Sequence, residues 1–170
     1  MRIKLPPSGV SVLRELCRHH ELTRRDIQGL LDVSGSTVTR ITTHLSEIGL
    51  PHSAVISEGN LGRPAEAIRL APDGLGMLAV SMSARETSIA LVALTGEVSE
   101  VSVLPATAET PYEEAITVVA DAVRLLASTG NQRFHALAGL GVSFGGSVSF
   151  RDGRIADASS FPDWRGKALA

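Results

Sequence analysis

Three segments within the first fifty residues carry apolar side chains at the spacing of an α-helix. The second segment follows Thr23 and Asp26, which are spaced as a capping box, and the third follows Ser34, a residue type that favours the N-cap position. Gly49 stands where the third helix is expected to end. Two short helices joined by a tight turn, as the second and third are, predict a helix-turn-helix. The apolar stripes of the three predicted helices are Val10, Leu13, Leu16 and Cys17; Ile27, Leu30 and Leu31; and Val38, Ile41, Leu45 and Ile48.

Two short apolar runs, at 54–57 and 67–70, follow the third helix. The loop between them contains Gly59 and Gly62, which tolerate positive φ, so the segment predicts a β-hairpin. Three helices and a hairpin predict a winged helix-turn-helix. Arg63 is expected at the tip of the wing, where an arginine contacts a phosphate or the minor groove; a solvated arginine is the alternative.

The remaining hundred residues alternate strand and helix patterns. A helical stripe begins near Thr110 and is expected to end at Gly130. The predicted strands cover residues 78–82, 88–94, 98–104 and 137–144, and a short hairpin is expected around Asp152 and Gly153. Three strands, a helix and a further strand predict the start of a ribonuclease-H-like lobe of the actin type. The fold class is therefore α+β or α/β.

Composition and charge narrow the class of protein. The chain has 170 residues, a net charge of −2, 44% hydrophobic and 20% charged residues, which excludes a wholly disordered chain. No apolar run approaches the roughly 18–20 residues of a membrane span, and the N-terminus lacks the apolar core of a secretory signal. A single cysteine excludes an internal disulfide and a cysteine-clustered metal site. We therefore expect a cytoplasmic protein without membrane partner, metal or cofactor.

The charge is distributed unevenly. Residues 1–70 carry nine Lys or Arg and seven Asp or Glu, whereas residues 71–170 carry seven and eleven. The third predicted helix adds short hydroxyl side chains and one arginine off its apolar stripe, with no acid before Glu47. Such a face suits the major groove, because carboxylates there would meet phosphates. The predicted DNA-binding residues are Ser34, Ser36, Thr37, Thr39, Arg40, Thr43 and Arg63. A three-helix bundle with a polar face is the alternative.

Several motifs resemble the ROK family of repressors, open reading frames and sugar kinases. The segment LTRRDIQGLLDVSGSTVTRITTHLSEIGL followed by GRPA resembles its winged helix-turn-helix. The segments LVALTGEV, GLGVSFGGSV and FRDGRIADASSFPDWRGKAL resemble parts of its sugar-binding domain. The resemblance runs from about Ser8 to Leu169. It implies a winged domain over 1–72 and an incomplete sugar-binding lobe over 75–170, with Asp32 standing where the turn more often has glycine.

The resemblance also implies where the chain departs from the family's kinases. Ser81 stands where those kinases have an aspartate, and Ser83 and Ala84 replace the glycines that admit nucleotide phosphates. The catalytic aspartate, the sugar-gripping Glu–His pair and the zinc cluster would lie beyond Ala170. The turn over Ser81–Arg85 thus favours a chain that is not an enzyme.

The resemblance places four residues at the family's ligand pocket, although Ser160 stands where the family often has an asparagine: Gly145, Gly146, Ser160 and Trp164. A strand-ending turn for the glycines and an aromatic anchor for Trp164 are the alternatives. The expected function is a sequence-specific DNA-binding transcriptional regulator of sugar metabolism genes, whose C-terminal lobe senses a sugar or sugar phosphate effector. Its expected partners are double-stranded operator DNA and that effector, and its full-length form is expected to be a homodimer. A ROK sugar kinase with an accessory N-terminal domain and a truncated fragment without independent activity are the alternatives.

Overall fold

A computed structural model describes residues 5–56 and 65–169 of the chain. The chain divides into two compact units. The first unit comprises residues 1–76, 93–97 and 133–136, and the second comprises 77–92, 98–132 and 137–170. The chain therefore passes between the units more than once, whereas the expected domains, 1–72 and 75–170, assume a single boundary. Those domain limits stay a prediction.

The first unit contains three helices and a three-stranded antiparallel sheet. In chain order these are α1 (Pro7–His19), β1 (Glu21–Thr23), α2 (Arg24–Leu31), α3 (Gly35–Glu47), β2 (Pro51–Ile56) and β3 (Ala65–Leu70). The strand order is β1–β3–β2, with Glu21 opposite Arg69 and Pro51 opposite Leu70. The strands pair as the sequence predicts for a hairpin, but β2 and β3 each begin earlier than the predicted runs. Strand β1 was not predicted.

The core of the first unit takes apolar residues from all three helices, but Val10, Cys17 and Leu30 of the predicted stripes are exposed, and Val12 takes a core position that the stripe did not include. Val12, Leu16, Ile27, Val38 and Leu45 are each fully buried, and Leu50 and Ile68 complete the cluster from the sheet side. The capping box predicted at the start of α2 is present: the Thr23 N–H donates to the Asp26 carboxylate at 2.8 Å, and the Asp26 N–H donates to the Thr23 hydroxyl at 3.2 Å. The capping box therefore sets the start of α2, and the buried Ile27 sets the side of the helix that packs on the core.

The second unit is built on a four-stranded sheet and one long helix. Its elements are β4 (Leu75–Met82), β5 (Thr87–Ala93), β6 (Ser102–Leu104), α4 (Tyr112–Arg133), β7 (Ala136–Phe144), β8 (Ser147–Val148) and β9 (Ile155–Asp157), followed by a 3₁₀ turn over Pro162–Trp164. The strand order is β6–β5–β4–β7, and β8 pairs with β9 in a separate hairpin. The N–H of Ala136 donates to the Gly74 carbonyl and that of Gly145 to the Met82 carbonyl, so β7 runs parallel to β4. The sheet is mixed, because β6 is antiparallel to β5.

The expected end of α4 at Gly130 is wrong. The helix continues to Arg133, and Gly130 is buried inside it. A Cβ atom at this position would lie 2.9 Å from Leu91 Cδ2 and 3.0 Å from Leu137 Cδ2. Close packing against the sheet, rather than termination of the helix, therefore requires glycine here.

Candidate nucleic-acid interface

The turn between α2 and α3 fixes where α3 begins. Asp32 follows α2 with φ 50° and ψ 51°, in the left-handed region that the short polar side chain of aspartate tolerates better than most. Ser34 then caps α3, because its hydroxyl oxygen accepts a hydrogen bond from the N–H of Thr37 at 3.3 Å. The predicted N-cap at Ser34 is confirmed. Gly49, with φ 71°, follows the other end of the helix as predicted.

Helix α3 buries one side and exposes the other. Val38, Ile41, Thr42 and Leu45 are its buried residues. The opposite side, here named the α3 face, gathers six of the seven residues that the sequence predicts to contact DNA. Ser34, Ser36, Thr39, Arg40 and Thr43 are exposed and Thr37 is half-buried. The seventh, Arg63, lies outside the described residues.

The hydroxyl groups of the α3 face differ in their hydrogen bonds. The Ser34 hydroxyl lies 3.0 Å from that of Ser36 and 2.9 Å from that of Thr37, so these three form a local network. The Thr39 hydroxyl donates to the carbonyl oxygen of Gly35, one turn earlier, at 3.0 Å. The Thr43 hydroxyl makes no hydrogen bond to any residue that the structure describes. The hydroxyls of the face are therefore of three kinds: bonded to each other, bonded to the backbone of the helix, or without a partner among the described residues. The sequence alone does not reveal this difference.

Arg40 supplies the positive charge of the α3 face. It forms no ion pair with a described residue, in contrast to Arg24, which pairs with Glu66, and Arg69, whose Nε donates to Glu21 Oε2 at 2.6 Å. A guanidinium in this state can bind a phosphate or a guanine edge without first breaking an internal contact. The exposed Glu47 lies at the C-terminal end of the helix, so the acid is remote from the N-terminal half of the face.

A cleft of about 520 Å³ borders the α3 face. Pro6 and Ser8 at the start of α1 form one wall, and Arg40, Thr43 and His44 of α3 form another. His44 Nδ1 lies 3.9 Å from Glu47 Oε2 in the same cleft. His44 lies on the same helix, off its apolar stripe, whereas Ser8 could not be placed at this site from the sequence, because only tertiary packing brings the start of α1 beside α3.

The four residues expected to bind a ligand lie in the second unit. Gly145 and Gly146 follow β7, and Ser160 and Trp164 follow β9. A Cβ atom at Gly146 would overlap the carbonyl oxygen of Asp157, so the glycine permits these two segments to pack closely. Gly145 and Ser160 are exposed.

Trp164 is only 1% exposed and belongs to an aromatic cluster. Its ring lies 4.9 Å from that of Phe161, 5.9 Å from that of Phe144 and 5.3 Å from that of Tyr112, measured between centroids. The Tyr112 hydroxyl in turn donates to the carbonyl oxygen of Ala168 at 2.5 Å. The buried indole N–H has no hydrogen-bond partner among the described residues. This environment accounts for Trp164 as an anchor of the loop, and its role toward a ligand stays a prediction.

The turn between β4 and β5, where the resemblance would place a kinase's phosphate loop, is closed by the side chain of Ser83. The N–H and hydroxyl of Ser83 both donate to the carbonyl oxygen of Glu86 at 2.9 Å, and the hydroxyl accepts from the N–H of Glu86 at 3.2 Å. These bonds occupy the N–H groups of Ser83 and Glu86 in the turn between β4 and β5. A cradle for a phosphate needs several unoccupied N–H groups that converge on one point.

Neither a metal site nor a membrane span is found in the part of the chain that the structure describes. Among those residues, no group of three or more His, Cys, Asp or Glu side chains is arranged to hold a metal ion. No helix in the described ranges is both long and apolar enough to cross a membrane.

Comparison with solved structures shows a likeness to a protein of known role. No protein-family model matches the sequence, and no curated protein matches it. The structure is similar to the crystal structure of a ROK family transcriptional regulator, a homologue of the E. coli MLC protein, with a TM-score of 0.67 and 19% sequence identity. The match covers 95% of this chain and 41% of that one. The two share a fold. This chain thus spans less than half the length of the regulator it resembles. The mixed four-stranded sheet is part of the fold that the two share.

Proposed function

We propose that the chain is a DNA-binding transcriptional regulator of the ROK type, whose first unit is a winged helix-turn-helix. The observation that carries the proposal is the α3 face: an exposed helix surface with a capped N-terminus, hydroxyl side chains and Arg40, which has no ion pair among the described residues. A helix of this kind enters the major groove with its N-terminal residues on base edges. The fold shared with a transcriptional regulator supports the same proposal.

The second unit is proposed to bind a sugar or sugar phosphate that changes the affinity for DNA. Gly145, Gly146, Ser160 and Trp164 are the proposed ligand residues, by resemblance. Such regulation is a coupling free energy between two sites, which typically changes affinity about 5- to 150-fold. We further propose that the full-length regulator is a homodimer in the cytoplasm, because helix-turn-helix proteins read paired half-sites.

The test of DNA binding starts with selection from a random duplex pool, since the operator is not given by the sequence. The dissociation constant of the selected duplex is then measured for the parent chain and for Arg40→Ala, Arg63→Ala and Arg124→Ala. Arg124 lies on α4 and pairs with Asp121 of the same helix at 2.5 Å, so its variant removes the same charge from a different unit of the chain. Loss of a specific arginine contact weakens binding by about tenfold or more.

We expect Arg40→Ala and Arg63→Ala to weaken binding and Arg124→Ala to leave it unchanged. Arg40→Ala should also reduce discrimination between the selected duplex and a scrambled one. Equal affinity of the parent, Arg40→Ala and Arg63→Ala would refute the contact surface, and failure to select any duplex would refute DNA binding. Sugar-dependent hydrolysis of ATP by the chain would instead favour a sugar kinase with an accessory N-terminal domain.

A further inference from the structure

The Thr39 hydroxyl is already committed within its own helix. It donates to the carbonyl oxygen of Gly35 at 3.0 Å, the back-bond that threonine forms to the residue four positions earlier. Because Cβ substituents occupy staggered positions, fixing the oxygen against the helix leaves the methyl group in a different position around the Cα–Cβ bond. Thr39 is exposed, and in this conformation its hydroxyl has no proton left to donate to a partner, so a partner meets its methyl group and an oxygen that can only accept.

Thr43 provides an internal contrast. It lies one turn after Thr39 on the same face and is also exposed, but its hydroxyl makes no hydrogen bond within the described residues. The two threonines are the same residue type, but in the structure only the Thr43 hydroxyl still has its proton available for a partner. Thr43 can donate a hydrogen bond to a base or phosphate at no internal cost, whereas Thr39 would first have to break its bond to Gly35.

The position of Thr39 along the helix matters as well. It is the fifth residue of α3, which begins at Gly35, and it precedes Arg40 directly. In helices that enter the major groove, the N-terminal residues are those that meet base edges. The one apolar group that the major groove displays is the 5-methyl group of thymine.

We propose that Thr39 selects thymine at one position of the operator through contact between its methyl group and the thymine 5-methyl group. The proposal rests on the proposed function, DNA binding through the α3 face, and adds the chemistry of one contact. It predicts that the methyl group of residue 39 determines the preference and that the hydroxyl does not.

The experiment uses the full chain and the duplex selected from the random pool. Each thymine of that duplex is replaced singly by deoxyuridine, which lacks only the 5-methyl group. Dissociation constants are measured for the parent, Thr39→Val, Thr39→Ser and Thr43→Val. Thr39→Val keeps the methyl group and removes the hydroxyl, whereas Thr39→Ser keeps the hydroxyl and removes the methyl group. Circular dichroism verifies that each variant folds.

We expect one deoxyuridine replacement to weaken binding by the parent about three- to tenfold, the scale of one buried methyl group. Thr39→Val should also bind the deoxyuridine duplex more weakly than the thymine duplex, by the same factor as the parent. Thr39→Ser should bind the two duplexes equally. Thr43→Val should weaken binding to both duplexes, because it removes a hydroxyl that can donate. The proposal is overturned if Thr39→Ser keeps the preference of the parent, or if Thr39→Val loses it.

The failures of the two proposals are distinguishable. If no duplex is selected, DNA binding itself fails and the thymine contact fails with it. If a duplex is selected and Arg40→Ala weakens its binding, but no deoxyuridine replacement depends on residue 39, the regulator remains and only the thymine contact is refuted.

Discussion

Replacement of Gly76, the second residue of β4, by alanine provides a sharp test of its packing against Phe134. A Cβ atom at Gly76 would lie 2.6 Å from Cε2 and Cγ of the Phe134 ring and closer still to its Cδ2. Ordinary contacts begin near 3.4 Å, so the ring would have to recede by about 1 Å. Phe134 is 4% exposed and has little room to do so. Overpacking of this kind costs about 2–3 kcal/mol of the free energy of unfolding.

The assay is urea unfolding of the full chain, followed by far-ultraviolet circular dichroism. The matched control is Gly29→Ala, the same substitution inside α2, where no atom lies within 4 Å of the added Cβ. Alanine is the better helix former, so this variant should gain about 0.5–1 kcal/mol. The two substitutions therefore have opposite predicted signs. In a thermal scan, Gly76→Ala should lower Tm by about 4–10 °C.

A double-mutant cycle tests whether the clash with Phe134 causes the loss of stability in Gly76→Ala. If the clash with the ring is responsible, Gly76→Ala should cost little in a Phe134→Ala background, because the opposing atoms are gone. A cost that is equal in both backgrounds would refute the contact between Gly76 and Phe134. A Gly76→Ala variant as stable as the parent would refute the reasoning altogether.

Two further predictions concern a cap and a loop. The Thr23 hydroxyl and N–H lower the pKa of Asp26, so its stabilising effect is present above the unfolded value near 3.8 and is lost as the pH falls through the lower folded value. Asp26→Asn should therefore reduce the free energy of unfolding by about 0.5 kcal/mol at neutral pH, a small effect because the carboxylate is solvent-exposed, and urea midpoints of the two proteins should converge in acid. Gly146→Ala should destabilise the second unit by about 2 kcal/mol because the new Cβ would meet the Asp157 carbonyl, whereas Gly145→Ala, whose Cβ would have ordinary contacts from 3.4 Å, should be tolerated. The fluorescence of Trp164, the single tryptophan, monitors this unit during urea unfolding, and equal midpoints for the two glycine variants would contradict the prediction.

Features that depend on neighbouring residues could be predicted from the sequence. The caps at Thr23 and Ser34 follow from side chains that bond to the backbone N–H groups three residues later. The apolar stripe of α3 follows from its period, because a helix with one apolar side must bury it.

Features that depend on distant residues could not be predicted. Strand β1 forms because Glu21–Thr23 pairs with β3, which lies more than forty residues later, and three residues carry no period of their own. The sequence cannot show whether Gly130 ends the helix or makes room for a neighbouring side chain. The structure shows the second role, because Leu91 and Leu137 lie against this glycine. The candidate site shows the same limit, since the contrast between Thr39 and Thr43 lies in the hydrogen bonds alone.

The charge of the α3 face sets a condition on how the proposed regulator binds. DNA affinity that rests on phosphate neutralisation needs many cations, and its logarithm falls with the logarithm of salt in proportion to their number. The α3 face offers Arg40, and residues 1–70 carry a net charge of only +2. Non-specific attraction should therefore be weak, so base contacts and the pairing of two half-sites have to supply most of the affinity. A protein of this design relies on base contacts for discrimination and gains affinity when two copies bind paired half-sites, which is why the dimer belongs to the proposal as much as the helix does.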